Sequence, residues 1–410
     1  MKSLWNDNEA AQCHGDPLAL RVYSSRLLGQ EAALVLHGGG NTSVKAKATN
    51  LFGETEELLY VKGSGWDLAT IEAAGFAPVK LDILKKMARL EQLTDSEMVR
   101  LQRSAMTDPS APNPSVEAIL HAIIPFKYVD HTHADAVVTI TNTEKGEERI
   151  RQIYGNRVLI VPYVMPGFIL ARKIYEMTQN IDWTPLEGII LMNHGAFSFS
   201  DEAKTSYERM IQLVTVAEDY LQTQAAVLPS LANLKPKDNL LELVAIRKSI
   251  SDIKGAAMIA RLDNGLAAVN FANLPNVASI ATRGPLTPDH VIRTKMKPVL
   301  LGENPTADIA DYAQAYNEYF ERNTNGRLTC LNPAPDWAIW PGYGLISFGR
   351  SVKAAQIVAD IKDHTIHAIQ VAEMLGGWQA LPESDLFDME YWELEQAKLG
   401  KTCHSLPLQG

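Results

Sequence analysis

The 410-residue chain has only three cysteines, Cys13, Cys330 and Cys403. They lie far apart and form no CxxC pair. A zinc ribbon and a disulfide framework are therefore excluded, and reduced thiols are expected. No run of 18 apolar residues occurs, so no membrane-spanning helix is expected. The start, Met1-Lys2-Ser3-Leu4-Trp5-Asn6-Asp7, lacks the apolar core of a signal peptide. A cytoplasmic location is the expectation. No block of like charge stands out among 38 basic and 48 acidic residues, which sum to −10. Neither nucleic acid nor a membrane is expected as a partner. The P-loop pattern GxxxxGK(S/T) and the dinucleotide pattern GxGxxG are both missing, and no NAD site is expected.

What is present is a chain that is 46% hydrophobic and long enough for two cores. A stretch over residues 226–240, with Pro229, Pro236 and the polar Lys235-Pro236-Lys237-Asp238-Asn239, marks a boundary. The domains read as 1–230 and 235–400, with a loose tail after Lys398. Both read as α/β. In the first, helices are expected over 16–31, after Asp16-Pro17, and over 80–103, 115–124 with Ser115 as N-cap, and 201–225. Strands are expected at 58–61, through the Val- and Thr-rich 128–141, at 157–164 and at 188–192. The second domain carries the hint of a degenerate repeat. Asn193-His194-Gly195-Ala196-Phe197 opens a pattern like Gly342-Tyr343-Gly344-Leu345-Ile346, offset by 343 − 194 = 149 residues. Tyr343 stands where His194 stood.

Three groups of residues carry chemistry. His131-Thr132-His133 on a strand places two imidazoles on one face, where they can converge on an ion. His194, at a strand end before Gly195, is the candidate third ligand, and Asp130 and Asp135 are candidates to orient the rings. Glu117 opens a helix in Pro114-Ser115-Val116-Glu117, with His121 on the same face four residues on. A carboxylate beside a divalent cation can act as general base on a carbon acid. Gly38-Gly39-Gly40-Asn41-Thr42-Ser43 and Lys62-Gly63-Ser64-Gly65 are small polar turns that can hold an anion.

Taken in order, Gly40-Asn41-Thr42-Ser43, Ser64-Gly65, Pro114-Ser115-Val116-Glu117, His131-Thr132-His133 and His194-Gly195 resemble the class II aldolase/adducin family. The resemblance implies an α/β/α sandwich with a mostly antiparallel central sheet. It implies zinc, or another divalent transition metal, on His131, His133 and His194. It implies Glu117 as the acid/base residue, with Asn41, Ser64, Gly65 and Ser115 around a substrate phosphate; Gly40 and the charge of Lys62 are further candidates for that subsite. The implied reaction is reversible cleavage of a ketose 1-phosphate, with rhamnulose 1-phosphate as the leading sugar, to dihydroxyacetone phosphate and an aldehyde. A homo-oligomer, tetramer or dimer, is implied too. Val116 departs from the second serine of many members, at one expected phosphate contact. Tyr163 is the candidate for the family's tyrosine proton donor. Pentulose-phosphate epimerases and decarboxylase-like members share the metal site and remain an alternative, as do non-catalytic adducin-like binding proteins.

The resemblance extends to bifunctional aldolase/short-chain dehydrogenases through Leu36-His37-Gly38-Gly39-Gly40-Asn41, Tyr60-Val61-Lys62-Gly63-Ser64-Gly65-Trp66-Asp67 and Arg283-Gly284-Pro285-Leu286-Thr287-Pro288-Asp289-His290. The sequence given ends 18 residues after Trp392 without a glycine fingerprint. No nicotinamide binding is expected, and a dehydrogenase would be a separate partner. Saturable NADH binding would contradict this. Arg283, His290 and Arg293 read as a surface loop, and His364 and His367 as a solvated helix face.

Overall fold

Asp16 accepts a hydrogen bond from the Leu18 N–H and Pro17 takes the first helical position, so the helix Pro17–Gly29 starts where the sequence places it. This computed structural model describes residues 1–224 and 235–394. Pro229, Cys403 and the expected loose tail lie outside the described residues. The chain divides into two units, residues 1–141 with 145–223, and residues 142–144 with those from 224 on. Among the described residues no helix is long and apolar enough to cross a membrane.

The first unit holds β1 (Asn41–Thr49), β2 (Thr55–Lys62), β3 (Phe76–Lys80), β4 (Tyr128–Thr132), β5 (Val158–Val161), β6 (Gly188–Leu191) and β7 (Gly195–Ser200). They form one sheet in the order β3-β2-β1-β4-β7-β6-β5. Only β5 and β6 run parallel; the other pairings are antiparallel. The sheet is therefore mostly antiparallel, as the resemblance implied.

Both faces are covered, which makes three layers. On one face Ile190 and Ala196 join Leu27, Leu28, Val137, Tyr207 and Met210 in a core with the helices Pro17–Gly29, Asp135–Thr141 and Ala203–Gln224. On the other, Phe197 lies under His131 and His121, next to the helix Ala118–Ile123. Strand alternation sends neighbouring residues to these opposite faces.

Two expected elements come out differently. The β-branched run through 137–141 is a buried helix, Asp135–Thr141, and not a continuation of β4. β4 finds ladder partners only as far as Thr132, paired with Ala196. Beyond that point the backbone satisfies itself, as Val138 N–H does on the Ala134 carbonyl at 2.9 Å. Burial on every side then overrides β propensity. The expected helix over 80–103 is two helices, Leu81–Met87 and Asp95–Ser104. Thr94 and Glu97 form a reciprocal capping box that starts the second.

The second unit holds β8 (Ile259–Asp263), β9 (Val299–Leu300), β10 (Trp337–Trp340) and β11 (Gly344–Gly349), in the order β8-β11-β10-β9. This repeats β4-β7-β6-β5 in order and in direction, with β9 and β10 parallel and the other two pairings antiparallel. The starts of β6 and β10 differ by 337 − 188 = 149 residues, and those of β7 and β11 by 344 − 195 = 149. The helices that follow, Ala203–Gln224 and Val352–Met374, start 352 − 203 = 149 residues apart. Even the close approach recurs. A Cβ on Gly195 would lie 2.2 Å from the Thr132 carbonyl oxygen, and one on Gly344 2.1 Å from that of Asp263.

Thr132 pairs with Ala196 and Asp263 with Leu345, so Leu262 and Asn264 stand where His131 and His133 stand in the first unit. Tyr343, at the position of His194, stacks on Trp340 with ring centres 3.7 Å apart. The second unit thus keeps the topology and none of the three imidazoles. The expectation of a surface loop at 283–293 holds for the exposed Arg283 and is corrected for the residues that follow it. Gly284 to Pro288 are buried, Thr287 is 1% exposed and His290 8%. His367 is exposed, in line with the solvated face expected there.

Candidate active site

The three histidines converge. β4 carries His131 and ends one residue before His133, while His194 sits in the tight turn between β6 and β7. Asn193 in that turn has φ of +59°, a left-handed conformation that asparagine tolerates better than most residues. Among the described residues, His131, His133 and His194 are the one group of three or more such side chains whose ligating atoms all lie within 4.8 Å of one another. His131 Nε2 and His133 Nε2 are 3.1 Å apart.

His131 Nδ1 lies 3.1 Å from the Ala196 carbonyl oxygen, which only accepts. The proton is therefore on Nδ1, and Nε2 carries the lone pair toward the other two rings. This corrects the expected role of Asp130. It precedes His131 on the strand and faces the opposite layer, where Arg21 and Ser206 hold it. A backbone carbonyl, which no sequence pattern marks, does the orienting.

Glu117 closes the group. Its Oε2 is 3.5 Å from His131 Nε2 and its Oε1 3.9 Å from His194 Nε2. The carboxylate is buried, and Oε1 accepts no hydrogen bond among the described residues. Ser115 positions it by accepting the Glu117 N–H at 3.2 Å. Ser115 is not the helix N-cap expected; Glu117 itself precedes the helix Ala118–Ile123. Lys45 fixes the far end of that helix. Its ammonium donates to the carbonyls of His121, Ile124 and Phe126 at 2.9, 2.6 and 2.6 Å.

Asn41 and Ser43 share a face of β1 and meet this helix. Asn41 Nδ2 donates to Glu117 Oε2 at 2.5 Å. Asn41 Oδ1 bonds the Nε2 of His121, whose Nδ1 lies 2.8 Å from the Ser43 hydroxyl. Burial pushes the His121 imidazole well below its ordinary pKa, helped by the charges of Lys45 and Arg21.

The sign of this shift gives a pH dependence. In the unfolded chain the ring charges near pH 6.5, while in the fold it stays neutral. Below that pH the unfolded state binds the extra proton and stability falls. Urea unfolding of chelator-treated protein should lose stability as pH drops below about 6. His121→Gln should lower that slope by about 1.4 kcal/mol per pH unit, the value for one proton. An unchanged slope would contradict the neutral ring.

The turns expected to hold phosphate lie near by. In the first, His37, Gly38 and Gly40 have φ of +41°, +83° and +61°. A Cβ on Gly39 would lie 3.7 Å from His133 Nδ1, so this turn borders the histidines. The buried Lys62 ammonium donates to the Gly38 and Gly40 carbonyls at 2.7 and 3.0 Å, holding the turn in shape. In the second turn, Ser64 N–H donates to the Asn113 carbonyl at 2.8 Å and Gly63 bridges Pro114. Ser115 N–H in turn donates to the Lys62 carbonyl at 3.0 Å, which ties Ser115 to the start of this turn. Tyr163 lies half-buried just past β5.

Comparison with known proteins follows this division. Residues 20–221 match the class II aldolase and adducin N-terminal domain, and residues 238–399 match the aldolase class II second domain. A Bacillus subtilis (strain 168) protein, the uncharacterized oxidoreductase YuxG, is 32% identical over 97% of this chain. The chain spans 60% of that protein's length. A solved N-terminal class II aldolase domain from Thermoplasma acidophilum is 38% identical; it covers 54% of this chain and 99% of its own, with a TM-score of 0.49. An L-fuculose-1-phosphate aldolase structure from Thermus thermophilus is 18% identical; it covers 50% of this chain and 96% of its own, with a TM-score of 0.33. With the two matched domains spanning residues 20–221 and 238–399, this chain belongs to the class II aldolase/adducin family.

Proposed function

We propose that the chain is a metal-dependent aldolase that reversibly cleaves a ketose 1-phosphate to dihydroxyacetone phosphate and an aldehyde. Rhamnulose 1-phosphate is the first sugar to test, and a homo-oligomer the expected assembly. The observation that carries the reading is the buried Glu117 carboxylate set against three convergent imidazoles.

The donor set fits a divalent transition metal. Nitrogen ligands at 2.0–2.1 Å in a tetrahedron sit about 3.3 Å from each other. The 3.1 Å between His131 Nε2 and His133 Nε2 is close to that spacing. Three protein ligands leave a position for substrate, as in catalytic rather than structural sites. His131, His133 and His194 would hold the ion. When bound it would supply positive charge beside the substrate's carbonyl oxygen, where negative charge develops.

The chain's own groups do the rest. Glu117 takes the proton from the substrate carbon in the condensation direction and returns it in cleavage. Asn41 holds Oε2, which leaves Oε1 for the proton. Ser64, Gly65 and Ser115, with Gly40, would take the phosphate, while both ends of the Asn41 amide are engaged by Glu117 and His121. Lys62 serves that subsite through the Gly38–Gly40 turn it supports.

Two readings test this. Metal analysis of zinc-treated protein should give about one ion per chain, from one intact three-histidine site. A protein that stays metal-free would favour an adducin-like binding role. A screen of ketose 1-phosphates with metal-loaded protein should release dihydroxyacetone phosphate from at least one sugar. Turnover of a pentulose phosphate without that product would favour an epimerase.

A further inference from the structure

The polar chain behind Glu117 has a fixed direction. A carboxylate oxygen only accepts, so the end of the Asn41 amide facing Glu117 Oε2 is the NH2 group. The other end, Oδ1, also only accepts, and it faces His121 Nε2. That nitrogen must carry the imidazole proton. His121 Nδ1 is then bare and takes the Ser43 hydroxyl proton at 2.8 Å. Every donor points toward Glu117, in the order Ser43, His121, Asn41.

All four side chains are buried, with His121 and Ser43 fully so. The two ends of an amide have nearly the same shape, so packing alone does not orient Asn41. A reversed amide would set its carbonyl oxygen against the carboxylate and its NH2 against the imidazole N–H. One hydrogen bond would become a repulsion, and two donors would face each other. The identity of residue 121 as a donor therefore decides which way Asn41 faces. Ser43 decides which ring nitrogen carries the proton. β1 links this to the metal strand, since Asn41 pairs with His131 across the ladder.

We infer that His121 is a positioning residue that, set by Ser43, holds the Asn41 amide facing Glu117 and so aims the Glu117 carboxylate at the reacting carbon. The inference rests on the reading of Glu117 as the base. Its effect falls on the proton-transfer step and leaves metal and phosphate binding alone.

The test uses the full zinc-loaded chain and dihydroxyacetone phosphate in D2O, with exchange of the substrate C–H followed by NMR. Glu117→Gln is the control for the underlying reading. If that variant exchanges as fast as wild type, the base reading fails whatever His121 does. With Glu117→Gln inactive, His121→Phe should lower the exchange kcat by about 10- to 100-fold, the usual cost of losing a partner that orients a site group. KM and zinc content should stay at wild-type values. His121→Gln, whose amide can still donate to Asn41 Oδ1, should restore most of the rate. Wild-type kcat in His121→Phe would overturn the inference. So would a loss confined to KM, or equal losses in the Phe and Gln variants. If His121→Phe does not fold, Ser43→Ala carries the same test. Without the hydroxyl, the ring proton can move to Nδ1 and the amide can reverse, so kcat should fall at unchanged KM. Wild-type kcat in Ser43→Ala would equally overturn it.

Discussion

Glu117→Gln should keep its metal and lose aldol cleavage by about 100- to 10,000-fold, the usual worth of a positioned acid/base group. The amide is nearly isosteric with the carboxylate. Its oxygen can still accept from Asn41 Nδ2, so the hydrogen bond at 2.5 Å has a replacement. His131 is oriented by the Ala196 carbonyl rather than by Glu117. What the variant lacks is a basic oxygen where Oε1 lies, 3.9 Å from His194 Nε2. Zinc content by elemental analysis should match wild type while product release collapses. Loss of the metal together with activity would make Glu117 a ligand or a structural group. Undiminished turnover would remove it from the chemistry.

The largest stability effect is expected one residue before His131. Asp130 and Arg21 are both fully buried and ion-paired between the sheet and the helix Pro17–Gly29. Arg21 also donates to Ser24 at 2.7 Å and Ser25 at 3.2 Å, and Ser206 donates to Asp130 at 2.5 Å. Such a pair adds little over a well-packed apolar replacement, but removing one partner strands the other charge. Asp130→Leu should lower unfolding free energy by about 3–5 kcal/mol in urea titrations. The double variant Arg21→Met/Asp130→Leu should recover most of that loss, because no charge is left stranded. The double variant should also bind zinc as wild type does, since Asp130 faces away from the histidines. A single-variant loss under about 1 kcal/mol would mean that water or another group takes over the guanidinium. Loss of zinc in the folded double variant would return Asp130 to the metal site.

Asp130 also shows where sequence reading stops. The His-x-His spacing on a strand implies that both rings share a face, and the two rings do converge although β4 itself ends at Thr132. The same alternation sends Asp130 to the other face, yet in one dimension it looks like a neighbour of His131. What holds His131 is a carbonyl on β7, 65 residues away. Backbone partners across a sheet leave no mark in side-chain spacing. The run through 137–141 failed for a related reason. Val, Thr and Ile favour strands only where a ladder is available, and β4 has no partner after Thr132.

β1 was missed altogether because Lys45 and Lys47 interrupt its apolar residues. The Lys45 ammonium is taken up by three carbonyls behind the helix Ala118–Ile123. The 149-residue offset was legible from a few matching positions, and the shared strand order extends it to a whole half-sheet. In the second unit Leu262, Asn264 and Tyr343 take the ligand positions, which agrees with an expected stoichiometry of one ion rather than two.

Half of the proposed aldolase reaction can be measured without knowing the sugar. Zinc-loaded protein, dihydroxyacetone phosphate and D2O suffice. If three histidines hold the ion and Glu117 removes the carbon-bound proton, one C–H of dihydroxyacetone phosphate should exchange for deuterium. NMR should show that exchange stop on chelation and return with added zinc. A correctly folded, metal-replete protein that leaves this C–H unexchanged would contradict the account.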